Sequence, residues 1–290
     1  MYKINFKKVI PSLFTLILIL GIYSCDTGDE PQAGLTGDSS AALTAELSGD
    51  SNFSMVEDLT FSALERGGID GRVSIAVDST LDCAEISFIG TLNQGTLSVD
   101  FGDEGCAGLD GKVRKGKIII SVNGYWYEMG NTTSVSLVNF SIDGVQIEGS
   151  WSITAKTFSK GELVYETKLT NGKITWPNGA IAMREATRTF TVTNSIENWL
   201  DLTVSVGGTA SGITTNGVSY ESVITDPLIF KALCAVSQAD ELPVEGVIEI
   251  TSDKPGFSKI VIDFGPGSCD NTFTVTIGSF SKEMTPEDLI

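Results

Sequence analysis

The chain of 290 residues contains no histidine, and this absence excludes several kinds of catalytic site. A Ser-His-Asp triad, a Cys-His pair and an HExxH zinc site each need an imidazole, as does a histidine proton shuttle. Catalytic or metal sites that use only carboxylates and other oxygen ligands are not excluded. A glycosidase needs a pair of Asp or Glu side chains, and a calcium site needs oxygen ligands.

Positive charge is also scarce. The chain has 19 Lys and Arg residues against 37 Asp and Glu residues, for a net charge of −18. Lys3, Lys7 and Lys8 lie in the first 24 residues, which contain no acid, so the remainder is more acidic than the whole. Such a field disfavours nucleic acid and anionic lipid surfaces, which attract basic patches. We therefore expect no nucleic-acid partner.

The N-terminus holds a short apolar run that ends just before a cysteine. The run extends from Val9 to Ile22, follows the three lysines, and is succeeded by Tyr23, Ser24 and Cys25. This arrangement resembles a bacterial lipoprotein signal, which is cut before a cysteine that carries lipid. The resemblance implies that residues 1–24 are the signal peptide and that Cys25 is the acylated N-terminus. It implies a protein anchored to the outer membrane, on its periplasmic or its cell-surface side, with the lipid on Cys25 as its membrane contact.

Cysteine is otherwise rare, with four more in the chain: Cys83, Cys106, Cys234 and Cys269. An even number of cysteines in an exported protein favours disulfides, because the envelope is oxidising. The count alone allows three pairings.

Composition divides the rest of the chain into three parts. Residues 25–40 are rich in Gly, Asp, Ser and Thr and predict a flexible tether. Residues 41–70 contain good helix formers and end in a Gly-Gly stop signal, so a helical segment is expected there, interrupted by Gly49 and Asn52.

Residues 71–290 alternate apolar residues with Thr or Ser, as in Thr187–Thr193 and Thr272–Ile277. Alternation with a period of two residues predicts strands with one buried and one solvent-exposed face, joined by Asn-Gly and Asp-Gly turns. We expect an all-β antiparallel body, either a sandwich or a curved meander, preceded by a short helix.

One internal repeat is visible in this body. Val99-Asp100-Phe101-Gly102 leads to Cys106, and Ile262-Asp263-Phe264-Gly265 leads to Cys269 with the same Asp-to-Cys spacing. A duplicated unit, near residues 83–125 and again near 234–280, is the simplest explanation. It selects the disulfides Cys83–Cys106 and Cys234–Cys269 from the three pairings.

The acidic turns of this repeat predict structure rather than chemistry. Asp100 and Asp263 each precede a glycine at a strand end, where a short carboxylate can accept amide hydrogens of a turn. The surrounding acids do not have EF-hand spacing, so no metal and no cofactor is expected.

Three consecutive aromatic residues, Tyr125, Trp126 and Tyr127, are the candidate ligand-binding residues. Amphipathic aromatic faces serve as recognition surfaces and can stack on sugar rings. On a strand, consecutive side chains point to opposite faces, so at least one ring is expected in the core.

The repeat, together with the segments Asp110–Ile118 and Ile147–Trp151, resembles surface lipoproteins of Bacteroidetes-type bacteria for which no activity is assigned. The resemblance implies surface export, signalled by Asp26, Asp29 and Glu30 directly after the lipidated cysteine. No catalytic residue is carried over from it.

We therefore expect a non-catalytic binding or structural module on the cell envelope, with a glycan or a surface protein as partner. The alternative is a carbohydrate-active hydrolase that uses a carboxylate pair.

Overall fold

The computed structural model describes residues 37–67, 79–91, 94–159, 161–193, 199–237 and 242–285. The signal peptide, Cys25, the acidic residues after it, most of the expected tether and the first eight residues of the all-β region lie outside these ranges.

The described residues contain two helices and fourteen strands. The helices are α1 (Gly37–Arg66) and α2 (Ala232–Ser237). The strands are β1 (Glu85–Thr91), β2 (Gln94–Asp100), β3 (Cys106–Ala107), β4 (Val113–Asn123), β5 (Thr132–Ile142), β6 (Val145–Ser159), β7 (Glu162–Thr175), β8 (Ile181–Thr193), β9 (Thr203–Ile213), β10 (Ser219–Lys231), β11 (Glu245–Thr251), β12 (Ile260–Pro266), β13 (Phe273–Ile277) and β14 (Phe280–Met284).

These strands form one antiparallel sheet in which neighbours in sequence are neighbours in space. The order runs from β1 and β2 through β4 to β14, and the short β3 pairs with β4 beside this path. The all-β prediction is confirmed, and of its two architectures the structure has the meander. Short hairpin connections explain this order, because Asp143-Gly144 and Asn216-Gly217 supply the positive φ angles or turn hydrogen bonds that tight turns require.

The core lies between one face of the sheet and α1. Alternate residues of each strand point to this inner face, for example Leu97 and Val99 on β2 and Ile118 and Ile120 on β4, all of which are fully buried. In the part of the chain that the structure describes, no helix is long and apolar enough to span a bilayer.

Helix α1 crosses the strands along this inner face. Near its N-terminus Asp38 accepts a hydrogen bond from Asn216 and pairs with Lys254 at 2.6 Å. Near its C-terminus Phe61 packs against Trp126, and Arg66 pairs with Asp82 at 3.2 Å. The helix therefore connects the first strands of the meander with the last ones, and the sheet curves around it.

The helix is longer than the sequence predicts. It begins at Gly37, so residues 37–40 of the expected tether are helical, and it continues through Gly49 and Asn52 without a break. Buried residues such as Ala42, Leu47 and Val56 lie on several sides of it. An enclosed helix needs no single apolar stripe, which is why the usual periodicity is weak here.

Both predicted disulfides are present, and each closes a hairpin. Cys83–Cys106 joins the open end of the β1–β2 hairpin, with Cα atoms 5.7 Å apart. Cys234–Cys269 does the same for β11–β12, at 5.3 Å. Both separations are ordinary for a disulfide. The two units therefore repeat in structure as well as in sequence.

Candidate functional site

The repeated Asp-Phe-Gly turns have the structural role that the sequence predicts. Asp100 accepts a hydrogen bond from the amide of Gly102, and Asp263 accepts one from Gly265, both at 2.9 Å. The two glycines have φ angles of 74° and 86°, which favour glycine. Asp100 differs in also pairing with Lys117 at 2.6 Å, and hydrogen bonds from Lys117 and Gly102 lower its pKa.

The phenylalanines of these turns belong to the core. Phe101 is 3% exposed and Phe264 is 2% exposed. Among the described residues no group of three or more Asp, Glu or Cys side chains is gathered as a metal site.

Tyr125, Trp126 and Tyr127 lie in the connection between β4 and β5 rather than on a strand. Trp126 points inward and packs edge-on against Phe61 of α1 at 4.9 Å and against Tyr165 of β7 at 5.9 Å. This ring anchors the connection to the core. At least one of the three rings therefore packs against the core, as the sequence predicts, although strand alternation does not apply in a turn.

The two tyrosines form a half-buried pair. Their rings are stacked with centroids 5.6 Å apart and planes 11° apart, and Tyr127 also contacts Phe158 of β6 at 6.1 Å. Phe158 is 61% exposed. We call Tyr125, Tyr127 and Phe158 the aromatic patch.

The connection that carries the patch is held by its own hydrogen bonds. The Glu128 carboxylate accepts hydrogen bonds from the Tyr125 amide at 3.3 Å and from the Asn131 side chain at 2.9 Å. Asn131 also donates to the Tyr125 carbonyl at 3.1 Å. The patch is therefore preorganised, which lowers the entropy cost of binding a partner.

A second site, which sequence reasoning missed, lies between α1 and the inner face of the sheet. Glu46 of α1 is fully buried and accepts hydrogen bonds from both terminal nitrogens of Arg184. The bond from Nη2 is 3.1 Å long. Arg188 donates to the same carboxylate at 3.2 Å and Ser222 of β10 donates at 2.7 Å. We call Glu46, Asp50, Arg184, Arg188 and Ser222 the buried ionic cluster.

Asp50, one helical turn after Glu46, completes the cluster. It accepts a hydrogen bond from Arg184 and a longer one, of 3.5 Å, from Arg188. Arg184 also donates to the Tyr220 hydroxyl at 3.2 Å. Two cations thus face two carboxylates, which is the condition under which charges can remain ionised in a protein interior.

Electrostatics within the cluster are strong because water is largely excluded. Burial raises the pKa of Glu46, but the charges of Arg184 and Arg188 outweigh this effect and lower the pKa to about 2. Burial opposes the charged form of Arg184, and the charges of Asp50 and Glu46 nevertheless raise its pKa well above the ordinary value. Both members of the pair therefore stay charged at neutral pH.

Gly49 allows α1 to approach this cluster. A Cβ atom at this position would lie 2.9 Å from the Cδ atom of Arg184. The sequence predicts an interruption of the helix at Gly49. Its actual role is to leave room for the guanidinium that binds Glu46.

A cavity of about 60 Å³ adjoins the cluster, between α1 and strands β6 to β10. Asp50 and Glu57 line it from the helix, and Trp151, Thr167 and Arg188 line it from the sheet. Burial raises the pKa of Glu57 to about 7, while a hydrogen bond with Thr167 opposes the rise. The pKa of Glu57 therefore lies near neutrality although the residue is only half-buried.

One sequence signal could have found this site. Arg184 and Arg188 stand in phase with Ala182, Phe190 and Val192 on the buried face of β8. Two cations in such positions require buried acids, and α1 has Glu46, Asp50 and Glu57 on one face.

Comparisons with protein-family models, with curated proteins and with solved structures found no match.

Proposed function

We propose that this chain is a lipid-anchored envelope protein whose all-β body is a non-catalytic binding module, and that the aromatic patch binds a neutral glycan. The preorganised, half-buried stack of Tyr125 and Tyr127 beside the exposed ring of Phe158 carries the proposal. Aromatic faces of this kind offer apolar area at low entropy cost, and their hydroxyl groups can bond to sugar hydroxyls.

The charge of the chain restricts the class of glycan. A net charge of −18 repels anionic polysaccharides, and Glu128 adds a carboxylate next to the patch. A neutral glycan avoids this repulsion and can donate hydroxyl hydrogens to Glu128. An acylated Cys25 would hold the patch at the outer membrane, where surface glycans are within reach.

The buried ionic cluster supports the proposal that the body of the protein is a non-catalytic module. It ties α1 to β8 and β10, so that the inner face of the sheet is filled by the chain's own helix. The outer surface and the connections between strands remain as the places for a partner. A rigid sheet of this kind is suited to holding the β4–β5 connection, and the aromatic patch on it, in a fixed position.

The hydrolase alternative has one observation in its favour. Asp50 and Glu57 line one cavity, and the raised pKa of Glu57 is the property of a general acid. However, the cavity of about 60 Å³ is far smaller than the ~300–1,000 Å³ of ordinary ligand pockets. A sugar ring does not fit there, and binding at the patch is the better-supported function.

The test is a glycan array, followed by affinity gel electrophoresis, with the full lipidated chain in detergent. We expect retention by a neutral polysaccharide, and loss of that retention in Tyr125→Ala and Phe158→Ala. The matched control is Ile89→Ala, because Ile89 is 80% exposed and lies on β1, outside the patch. Equal loss in the control, or retention that survives both patch variants, contradicts the proposal. Release of sugar that Glu57→Gln abolishes favours the hydrolase instead.

A further inference from the structure

The cavity beside the buried ionic cluster contains two hydrogen-bond donors that have no partner among the described residues. They are Nη1 of Arg188 and Nε1 of Trp151. Arg188 is 8% exposed and Trp151 is 3% exposed, so water at the surface does not satisfy either group. A buried donor without an acceptor costs about 1–3 kcal/mol, and more if it is charged. Both therefore require an acceptor inside the cavity.

The sheet register brings the two donors to one place. Arg188 pairs with Thr167 across β8 and β7, and Trp151 pairs with Leu169 across β6 and β7. All of these side chains lie on the inner face, and the two donors flank β7 from opposite sides. Long side chains in this arrangement can point at a common acceptor.

The apolar part of the lining, which we call the apolar wall, consists of Phe53 from α1 and of Phe190, Val206, Leu228 and Phe230 from the sheet. A cavity that combines two unpartnered donors with aromatic and aliphatic groups suits an amphipathic ligand. The cavity volume of about 60 Å³ has room for roughly four to six water molecules.

We propose that this cavity is a binding site for a small monocarboxylate of the size of acetate or propionate. The carboxylate accepts hydrogen bonds from Nη1 of Arg188 and Nε1 of Trp151, and its alkyl group packs against the apolar wall. Asp50 lines the cavity and its side chain is 22% exposed, so we place the entrance for the ligand beside it. The proposal does not depend on glycan binding at the aromatic patch.

Charge balance sets the condition under which a further anion enters a site that already holds two carboxylates. Arg184 and Arg188 neutralise Glu46 and Asp50, so an added carboxylate leaves one negative charge in excess when Glu57 is protonated and two when Glu57 is ionised. A protonated Glu57 adds no charge, and its O–H donates to the ligand. Binding is therefore linked to one proton on Glu57.

The groups that face Glu57 agree with this linkage. Asp50 on α1 disfavours its ionisation, Arg188 on β8 favours it, and Thr167 on β7 forms a hydrogen bond with it. Tyr165 on β7 stays neutral, because burial and the charges of Glu57 and Asp58 raise the pKa of its phenol. Burial is the largest effect and sets the pKa of Glu57 at about 7. The apparent affinity should fall about tenfold for each pH unit above that value.

The experiment is an NMR titration of the full chain in detergent with ¹³C-labelled acetate, at about pH 6 and about pH 8. We expect saturable binding that is about tenfold weaker at the higher pH. Trp151→Phe, which removes one donor but keeps an aromatic ring, should weaken binding about tenfold or more. Trp176→Phe is the matched control, because Trp176 lies in the connection between β7 and β8 and does not line the cavity.

Glu57→Gln tests the linkage itself. The amide keeps a donor and cannot ionise, so acetate should bind equally well at both pH values. Circular dichroism establishes that each variant is folded. No acetate binding at either pH shows that water alone satisfies the donors and overturns the proposal. It is also overturned if Trp151→Phe binds like the control, or if Glu57→Gln keeps the pH dependence of the wild type.

Discussion

Glu46 and Arg184 form a buried ion pair although 138 residues separate them in the sequence. The carboxylate is fully buried and the arginine is 3% exposed. Because Glu46 lies on α1 and Arg184 on β8, the pair joins the helix to the middle of the sheet.

Removing Arg184 should strongly destabilise the protein. Arg184→Met leaves Glu46 buried with Arg188 as its remaining cation, and loss of one member of a buried pair costs about 3–5 kcal/mol. Urea unfolding followed by circular dichroism gives the free energy of unfolding. The control is Lys156→Met, which removes an exposed pair with Glu166 at 3.0 Å and should cost no more than about 1 kcal/mol. Similar losses in both variants would show that the cluster does not hold the helix.

Stability should be greatest near pH 5. Glu57 binds its proton more tightly in the folded state, with a pKa of about 7 against an ordinary value of 4.5, so stability falls as pH rises through this interval. The fall should amount to about 3 kcal/mol. Glu46 acts in the opposite direction, because its pKa of about 2 means that stability is lost as pH drops below 4.5.

Glu57→Gln separates these two effects. The variant should lose the decline between pH 4.5 and pH 7 and keep the decline in acid. Melting temperatures measured across this pH range in a buffer without carboxylate provide the comparison. A wild-type protein that gains stability from pH 5 to pH 7 contradicts the assignment.

Replacing Gly49 by alanine should lower stability, against the usual rule for helices. Alanine is normally better than glycine inside a helix by about 1 kcal/mol. Here the new Cβ atom would lie 2.9 Å from Cδ of Arg184 and displace the guanidinium from Glu46. In an Arg184→Ala background, which has no atom at the Cδ position, this conflict is absent, and Gly49→Ala should then be stabilising. A double-mutant cycle measures the coupling, and additive effects would refute the role assigned to Gly49.

Loss of either disulfide should destabilise the protein to a similar extent. The bridges span 23 and 35 residues, so each contributes about 3–4 kcal/mol by constraining the unfolded chain. Cys83→Ser with Cys106→Ser, and Cys234→Ser with Cys269→Ser, are the matched pair of variants. Peptide mapping without reduction checks the pairing, and chemical denaturation checks the energies. A bridge that can be removed at no cost in stability would be inconsistent with two equivalent units.

Cys25→Ala should release the protein from the membrane. The apolar run and Ser24 before the cysteine predict acylation at this residue, which lies outside the described part of the chain. Mass spectrometry of the membrane fraction should detect lipid on Cys25 of the wild type. Cys83→Ser with Cys106→Ser is the control for cysteine loss and should remain membrane-bound. An unchanged distribution of Cys25→Ala would disprove the anchor.

The strands and the disulfides were predictable because they depend on local patterns. Thr187–Thr193 alternates with period two, and residues so arranged place one side chain in the core and the next in water. The equal spacing from Asp100 to Cys106 and from Asp263 to Cys269 identifies the two bridges without knowledge of the sheet order.

Helix α1 and the aromatic residues were predictable only in part. Periodicity detects a helix that has one apolar face, whereas α1 is enclosed by a curved sheet and buries Ala42, Leu47 and Val56 on several sides. Strand alternation does not govern Tyr125, Trp126 and Tyr127, because they lie in a turn. The contact between Trp126 and Phe61 of the helix decides which ring points inward.

The sequence by itself determined the all-β class and which cysteines pair, and it predicts an acylated N-terminus. All of these depend on residues that are close along the chain or on repeated spacing. Only the tertiary structure decided that Glu46 meets Arg184 and that Arg188 and Trp151 share a cavity. The reason is physical: a charge becomes buried, and a donor loses its water, only when the curved sheet closes over the helix, and no local pattern contains that event.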